Sequence, residues 1–469
     1  MSPGIFTGTG RRVSIFNNYP GINMIRIMCR AFAISSLIIG QAAFGERDTS
    51  LWRLSFNTNW LGPMEAHVEL TLDGTQLTGA SKSGAISLLQ ALPGDQDLTD
   101  GLVAFNADSN EGKTYNGSFR APWKEGKLSI VIDGDTLSGT VEGGAFDGDF
   151  SGKRVVDSER IRDYPKILER LDAVVAAKVF APEKLQESSY LEFRAQLGEI
   201  AAVAQDDLDM LFGFHWLWKN DPFSHFQLKR SARPAEEMFS FFDSYRVGFD
   251  AATVEIDGDI AILKVATMMG ADTIEQIEAA YDEIAASEAK YLVIDLRGNG
   301  GGAFAVKPLA AHLISEPLDS GYFLSQLWGK EHDDLPTIEQ VMATPAWDGW
   351  SIIDFWRSVQ EQELLRIRFQ PSAPRFTGKV FVLLDKQSAS ATELAADALR
   401  ASGVATLIGE TTAGEMLSQS FFDVAEGFTI SLPVADYYSL AHGRIEGVGV
   451  PVDIESADAM ATAKALAAE

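Results

Sequence analysis

From about Leu51 to Arg154, short apolar stretches alternate with Gly, Asp and Asn, as in Val68-Glu69-Leu70-Thr71-Leu72-Asp73-Gly74 and Leu128-Ser129-Ile130-Val131-Ile132-Asp133-Gly134. Alternation with period two that ends on Asp-Gly predicts antiparallel strands closed by tight turns. Thr78-Gly79, Asn116-Gly117, Ser138-Gly139 and Ser151-Gly152 recur in similar contexts, so the stretch reads as a meandering barrel or sandwich. It carries no recognisable chemistry and is taken as an accessory β domain over residues 46–155.

Between Ser158 and Phe214 the pattern changes to Ala, Leu, Glu and Arg at helical spacing, with Ile167, Leu168, Leu171, Val174 and Val175 as one apolar stripe. This helical segment, 156–223, ends at Asp221-Pro222, a turn before a strand. Beyond it, residues 224–469 alternate strands and helices. Ile260 to Val265, Tyr291 to Leu296 and Lys379 to Leu384 predict buried strands. Asp272 or Thr273 is expected to cap a helix buried through Ile274, Ile277, Tyr281 and Ile284, and a further helix runs from Ser390 to about Arg400. The predicted fold class is α/β, with loops at strand ends available for chemistry.

The first 45 residues contain no Asp or Glu, and Arg26 and Arg30 precede a short apolar run from Ala31 to Gly40. That run is too short to span a bilayer and fits a signal peptide, with Ala43-Phe44-Gly45 before a cleavage point at Glu46. The expectation is an exported protein, periplasmic or extracellular, with no membrane span in the mature chain. Met24 or Met28 also serves as a start. The only cysteine, Cys29, falls in the leader, which leaves the mature chain no disulfide, cysteine nucleophile or cysteine zinc site. Loss of the leader's four arginines moves the net charge from −27 to −31. Such acidity argues against nucleic acid and anionic membranes as partners.

Two loops carry candidate chemistry. Ser390 stands where an apolar strand turns into a helix rich in Ala and Leu, beside unpaired amides that suit an anion. An ordinary helix cap uses the same residue type. The run Gly298-Asn299-Gly300-Gly301-Gly302 follows the second strand and lets a carbonyl approach backbone amides closely. No Gly-Lys-Ser/Thr follows it, so a phosphate loop does not fit.

Together Asp295 to Gly302, Ser388 to Glu393, Gly409 to Gly414 and Gly443 to Ile454 resemble the C-terminal-processing (tail-specific) peptidase family, over roughly Trp216 to Ile454. The resemblance implies a crotonase/ClpP-like catalytic domain and a serine-type peptidase with Ser390 as nucleophile. It implies an oxyanion hole from Ala391 and Gly301, with Gly300 as the other candidate donor. Where Ser-Lys members carry their lysine this chain has Gly414-Glu415, and no lysine occurs between Lys386 and Lys464. A carboxylate does not replace a desolvated amine as base. Of six histidines, His225 follows the Asp-Pro-Phe turn in a Ser224-His225 pair, and the tricorn-type relatives place a Ser-His pair at this point with a Glu in the last block, here Glu446.

The implied site is therefore Ser390, His225, Ser224 and Glu446, with Glu446 acting through Ser224 to orient the imidazole and Glu415 left open as the acidic member. An ordinary imidazole base, pushed upward by a carboxylate, sets the expected acid limb near or above pH 6.5. His442, four residues before Glu446, is a weaker candidate in a hairpin turn. About 35 residues separate His225 from Ile260, too few for the PDZ domain such peptidases carry. Expected substrates are peptides or unfolded protein, with no metal and no organic cofactor. The rival reading is a non-catalytic ligand-binding or degenerate member of the same fold, since some relatives hold apolar ligands. Oligomeric state is not legible.

Overall fold

The computed structural model describes residues 47–468, apart from 59–61, 93–97, 99–100, 110–111, 122–123 and 144–146. The leader, its cleavage point and Cys29 lie outside the described residues.

Eight strands from Asp48–Thr58 to Gly148–Val155 pair antiparallel in sequence order, and the last returns to the first through Leu51↔Val155. The alternation thus resolves to a closed barrel. Closure pairs every strand edge, and the twist it demands is met at tight Asp-Gly turns, where Gly74 and Gly134 take φ of 61° and 64°. Inward positions carry Trp52, Leu54, Leu70, Phe105, Phe119, Ile130 and Phe150, so the interior is a packed core.

Helices Tyr164–Lys178, Ser188–Val203 and Asp207–Leu217 follow. The third is capped by Asp206, which accepts from the Leu208 and Asp209 amides. Its first turn also docks the barrel. Asp207 accepts from the Glu65 amide at 2.8 Å and pairs with Arg162 at 3.0 Å and Arg230 at 2.8 Å, while Asp206 accepts from the His67 amide at 2.9 Å. Carboxylates at a helix N-terminus are favoured by the helix dipole, which offsets part of the cost of burying them. The helices share one core with Leu417, Phe428, Ile430 and Leu432.

The remaining chain builds two sheets. One runs Ala252–Asp257, Ile260–Val265, Tyr291–Asp295, Lys379–Leu384, Ala405–Gly409, Ile454–Glu455, parallel from the second strand onward. The other runs Ala346–Trp347, Leu364–Phe369, Leu318–Ser325, Phe428–Ser439, Leu417–Asp423, with Gln227–Arg230 and Gly443–Arg444 also paired to Phe428–Ser439. The three apolar runs read as strands are adjacent neighbours in the first sheet. Their carboxyl ends therefore bring the glycine loop and the serine loop to one place.

One cap differs from expectation. Helix Ala271–Ala286 starts after Gly270, and Asp272 accepts instead from the Val247 and Gly248 amides, both at 2.9 Å. A long-range pair of donors competes successfully for a side chain that sequence reading assigns to its own helix end. Residues 226–259 hold two short strands and helix Ala235–Phe242.

Candidate active site

Ser390 is the residue before helix Ala391–Ala401 and has φ 55° and ψ −119°. A left-handed conformation at a non-glycine residue costs on the order of 1–3 kcal/mol and persists only where neighbours over-determine it. Here the neighbours are specific. The Ser388 hydroxyl donates to the Leu296 carbonyl at 3.0 Å, the Gly298 amide to Asp385 at 3.0 Å and the Ala389 amide to the Asn299 carbonyl at 3.1 Å, so the serine and glycine loops are laced together. Gly301, at φ 90°, leaves no room for a Cβ, which would lie 2.8 Å from Ser390 Cβ and 2.9 Å from the Ala391 nitrogen.

The expected oxyanion donors fare differently. The Gly301 amide donates to Asn299 Oδ1 at 2.9 Å, and its carbonyl accepts from the Met268 amide at 2.9 Å. In this conformation it is therefore engaged inside the loop. The reason is the buried Asn299 side chain, whose Oδ1 supplies an acceptor within the loop itself. The Gly300 and Ala391 amides have no hydrogen-bond partner among the described residues, and Gly300 faces open space.

On the other side, Phe223 and Phe226 are buried in an aromatic cluster with Trp218, Tyr190 and Phe193, which anchors the residues between them. His225 takes φ 60° there. Its Nδ1 lies 2.7 Å from the Ser224 hydroxyl. The Ser224 amide donates to Glu446 Oε1 at 3.0 Å, and Oε2 of the same carboxylate accepts from the Met416 amide at 2.7 Å. Ser224, His225 and Glu446 thus form one connected group. With Nδ1 engaged, Nε2 is the nitrogen left for proton transfer. No hydrogen bond joins His225 to Ser390 among the described residues.

Burial pushes Glu446 up from 4.5 to about 7, against the bonds from Ser224 and Met416 that favour its charged form. Burial likewise pushes His225 down from 6.5 to about 4. The imidazole is thus neutral at neutral pH, the state a base requires.

The other histidines are committed elsewhere. His442 Nδ1 is 2.8 Å from the buried Asp397, His215 Nε2 is 2.6 Å from the Leu228 carbonyl, and His312 bridges the Pro374 carbonyl and Glu278. His332 stacks on Trp328, and His67 is buried on barrel strand Gly62–Asp73, where its amide donates to Asp206. Glu415 accepts from Asn220 at 3.3 Å and makes no hydrogen bond to Ser224 or His225 among the described residues, so Glu446 is the carboxylate joined to the pair. Burial raises the Glu415 pKa.

Sequence reading missed Glu393 and Asn299. Glu393 is fully buried and accepts four hydrogen bonds, two on each oxygen. The signal available was its place three residues after Ser390, which reads as half of a capping box. Among the described residues no cluster of His, Cys, Asp and Glu is arranged to hold a metal, and no helix is long and apolar enough to cross a membrane.

Residues 259–456 match peptidase family S41, a span that includes Gly300, Gly301, Ser390, Ala391 and Glu446 but not Ser224 or His225. The chain is similar to a carboxyl-terminal-processing protease of Synechocystis sp., 26% identical over 188 residues, which is 40% of this chain and 36% of that protein. It is also similar to the chloroplastic carboxyl-terminal-processing peptidase 1 of Arabidopsis thaliana, 26% identical over 168 residues, 36% of this chain and 28% of that protein. The matched stretch spans about a third of these relatives' length. A putative peptidase from Parabacteroides merdae superposes with a TM-score of 0.43 at 15% identity, over 64% of this chain and 93% of that one.

Proposed function

We propose, from the match of residues 259–456 to peptidase family S41 and from homologues that support a serine-type hydrolase, that the chain is an exported endopeptidase or oligopeptidase acting through an acyl-enzyme on Ser390. The base is His225, oriented by Ser224 and Glu446, which makes the site tricorn-like and not of the Ser-Lys type. The catalytic domain is read as crotonase/ClpP-like, and the substrates as peptides or unfolded protein.

The observation that carries this reading is the bond between the Ser224 hydroxyl and His225 Nδ1, with Ser224 itself held by Glu446. It fixes the ring and leaves Nε2 to take the Ser390 proton as Oγ attacks the scissile carbonyl. The oxyanion is stabilised by the Ala391 amide at the helix start and by the Gly300 amide. Nε2 then returns the proton to the departing amine, leaving the acyl group on Ser390. Water, deprotonated by the same nitrogen, releases the acid and restores the serine. The Ser390–His225 hydrogen bond forms on substrate binding, as catalytic hydrogen bonds often tighten only in the complex.

Mass spectrometry after reaction with an active-serine phosphonate tests the nucleophile. Labelling at Ser390 is expected. Labelling confined to Ser388 or Ser224, or none in folded protein, favours a binding or degenerate member instead. Export is read from the acid-free leader alone, and the N-terminal sequence of secreted protein tests it, with Glu46 expected first.

A further inference from the structure

Glu393 takes no part in the chemistry above, yet its carboxylate accepts four hydrogen bonds, one of them from the Ser390 amide. Oε1 accepts from the Thr412 hydroxyl at 2.6 Å and the Gly414 amide at 2.8 Å. Oε2 accepts from the Ser390 amide and the Glu415 amide, each at 2.9 Å. One peptide further along, the Met416 amide passes to Glu446 at 2.7 Å. Two buried carboxylates therefore grip consecutive residues of one segment, 414–416. One carboxylate stands on the nucleophile's helix, and the other holds Ser224 and through it His225.

We propose that Glu393 is a positioning residue that sets Ser390 against the Glu446–Ser224–His225 arm by holding the Ser390 amide and segment 412–415 on one carboxylate. The proposal rests on the reading of Ser390 as nucleophile.

A capping box alone does not account for this arrangement. A glutamate in that role bonds the amide of the capping residue, a contact that uses one acceptor and stays within its own helix end. Glu393 is fully buried, and three of its four donors come from residues 412–415, outside its own helix. A buried carboxylate is tolerated when its lone pairs are used, and four donors on two oxygens use them. The same bonds resist the left-handed conformation's tendency to relax at Ser390. Gln is a poor replacement, because its NH2 faces the Ser390 and Glu415 amides in one orientation and the Gly414 amide in the other, so a donor meets a fixed donor either way.

The test is a double-substitution cycle in the full chain, read by the rate of phosphonate labelling at Ser390 and by kcat and KM on one peptide. Glu393→Gln should slow labelling on the order of 10²-fold, with the loss in kcat and KM changed by less than about threefold. Glu446→Gln should slow it by a similar factor. The double variant should be no more than about threefold slower than the worse single, since both break one chain of contacts. Factors that multiply would overturn the proposal, as would a Glu393→Gln protein that labels at the wild-type rate.

Should Glu393→Gln not fold, Thr412→Val removes one of the four bonds and should show a smaller slowing with the same non-additivity, restored by Thr412→Ser. Amide exchange separates this proposal from the nucleophile assignment, because it needs no turnover. Loss of protection at Ser390, Gly414 and Glu415 together in Thr412→Val supports the shared carboxylate even in a chain that never labels. Loss confined to Gly414 overturns it.

Discussion

The amide of Gly301 donates to Asn299 Oδ1 at 2.9 Å, and the buried Asn299 side chain donates in turn to the Val265 carbonyl at 3.0 Å. This anchors the glycine loop to the end of strand Ile260–Val265 and makes two adjacent glycines unequal. A Cβ on Gly301 would lie 2.5 Å from the Ala389 carbonyl oxygen, whereas one on Gly300 meets nothing within 4 Å. Gly301→Ala is expected to abolish phosphonate labelling of Ser390, and Gly300→Ala to slow it by less than about tenfold. Comparable losses in the two proteins, measured as labelling rates, would show that the loop tolerates the clash.

The Ser224 hydroxyl is a second point of leverage, since its removal spares the backbone bond from Ser224 to Glu446. Ser224→Ala leaves the arm in place but frees the imidazole to rotate and change tautomer. A fall in kcat/KM of about 10- to 100-fold is expected, with KM nearly unchanged. Thermal melting should move by only a few degrees, because the lost group is small. A variant with wild-type kcat/KM would leave Ser224 a packing residue.

The pH profile is also altered by the geometry. Sequence reading puts the acid limb near or above 6.5, on the expectation of an ionised carboxylate beside the base. In the fold, burial pushes His225 down to about 4 and Glu446 up to about 7. Below neutrality Glu446 is largely protonated and lends the imidazole no charge. The rate should therefore hold down to about pH 4. It should rise again through pH 7 as Glu446 ionises and makes His225 a stronger base. Glu446→Gln should remove that upper step. Measured kcat/KM for both proteins, over the range in which the fold is verified, decides it, and a single limb near 6.5 in both would refute the assignment.

The parts of the molecule legible in sequence are those set by local pattern. Strands Ile260–Val265 and Lys379–Leu384 are continuous apolar runs, the barrel strands alternate with period two, and Ser390 stands at a strand-to-helix change. His225 is different. Nothing in periodicity marks it, and it was reachable only through resemblance. Its positive φ, shared among non-glycine residues with Ser390, Asn220 and Glu426, emerges only in the fold. Asn299 and Glu393 were passed over because their partners are remote: one reads as a turn residue in a glycine run, the other as a helix cap. Asp207 likewise reads as a first-turn acid, although its carboxylate receives two arginines and the Glu65 amide of the barrel.

Lys307 offers a test that involves no catalysis. It stands on helix Val306–Ala311, just after the glycine loop, is 4% exposed, and donates to the Gly349 carbonyl with its ammonium 4.2 Å from the Trp347 ring centroid. The contacts fasten residues 347–349 to that helix, but burial costs the charged form enough to lower its pKa from 10.5 to about 7, with Asp348 opposing the shift. A base whose folded pKa is depressed binds fewer protons folded than unfolded between those two values. Stability must then rise with pH across that window. Between pH 7 and 9.5 the wild-type chain should gain roughly 3 kcal/mol relative to Lys307→Met, which keeps the apolar stem and has no proton to lose. Urea unfolding of both proteins at the two pH values measures the difference, and the comparison cancels every other titrating group. Parallel pH dependences would mean that Lys307 stays charged in the fold, held by Gly349 and the Trp347 ring.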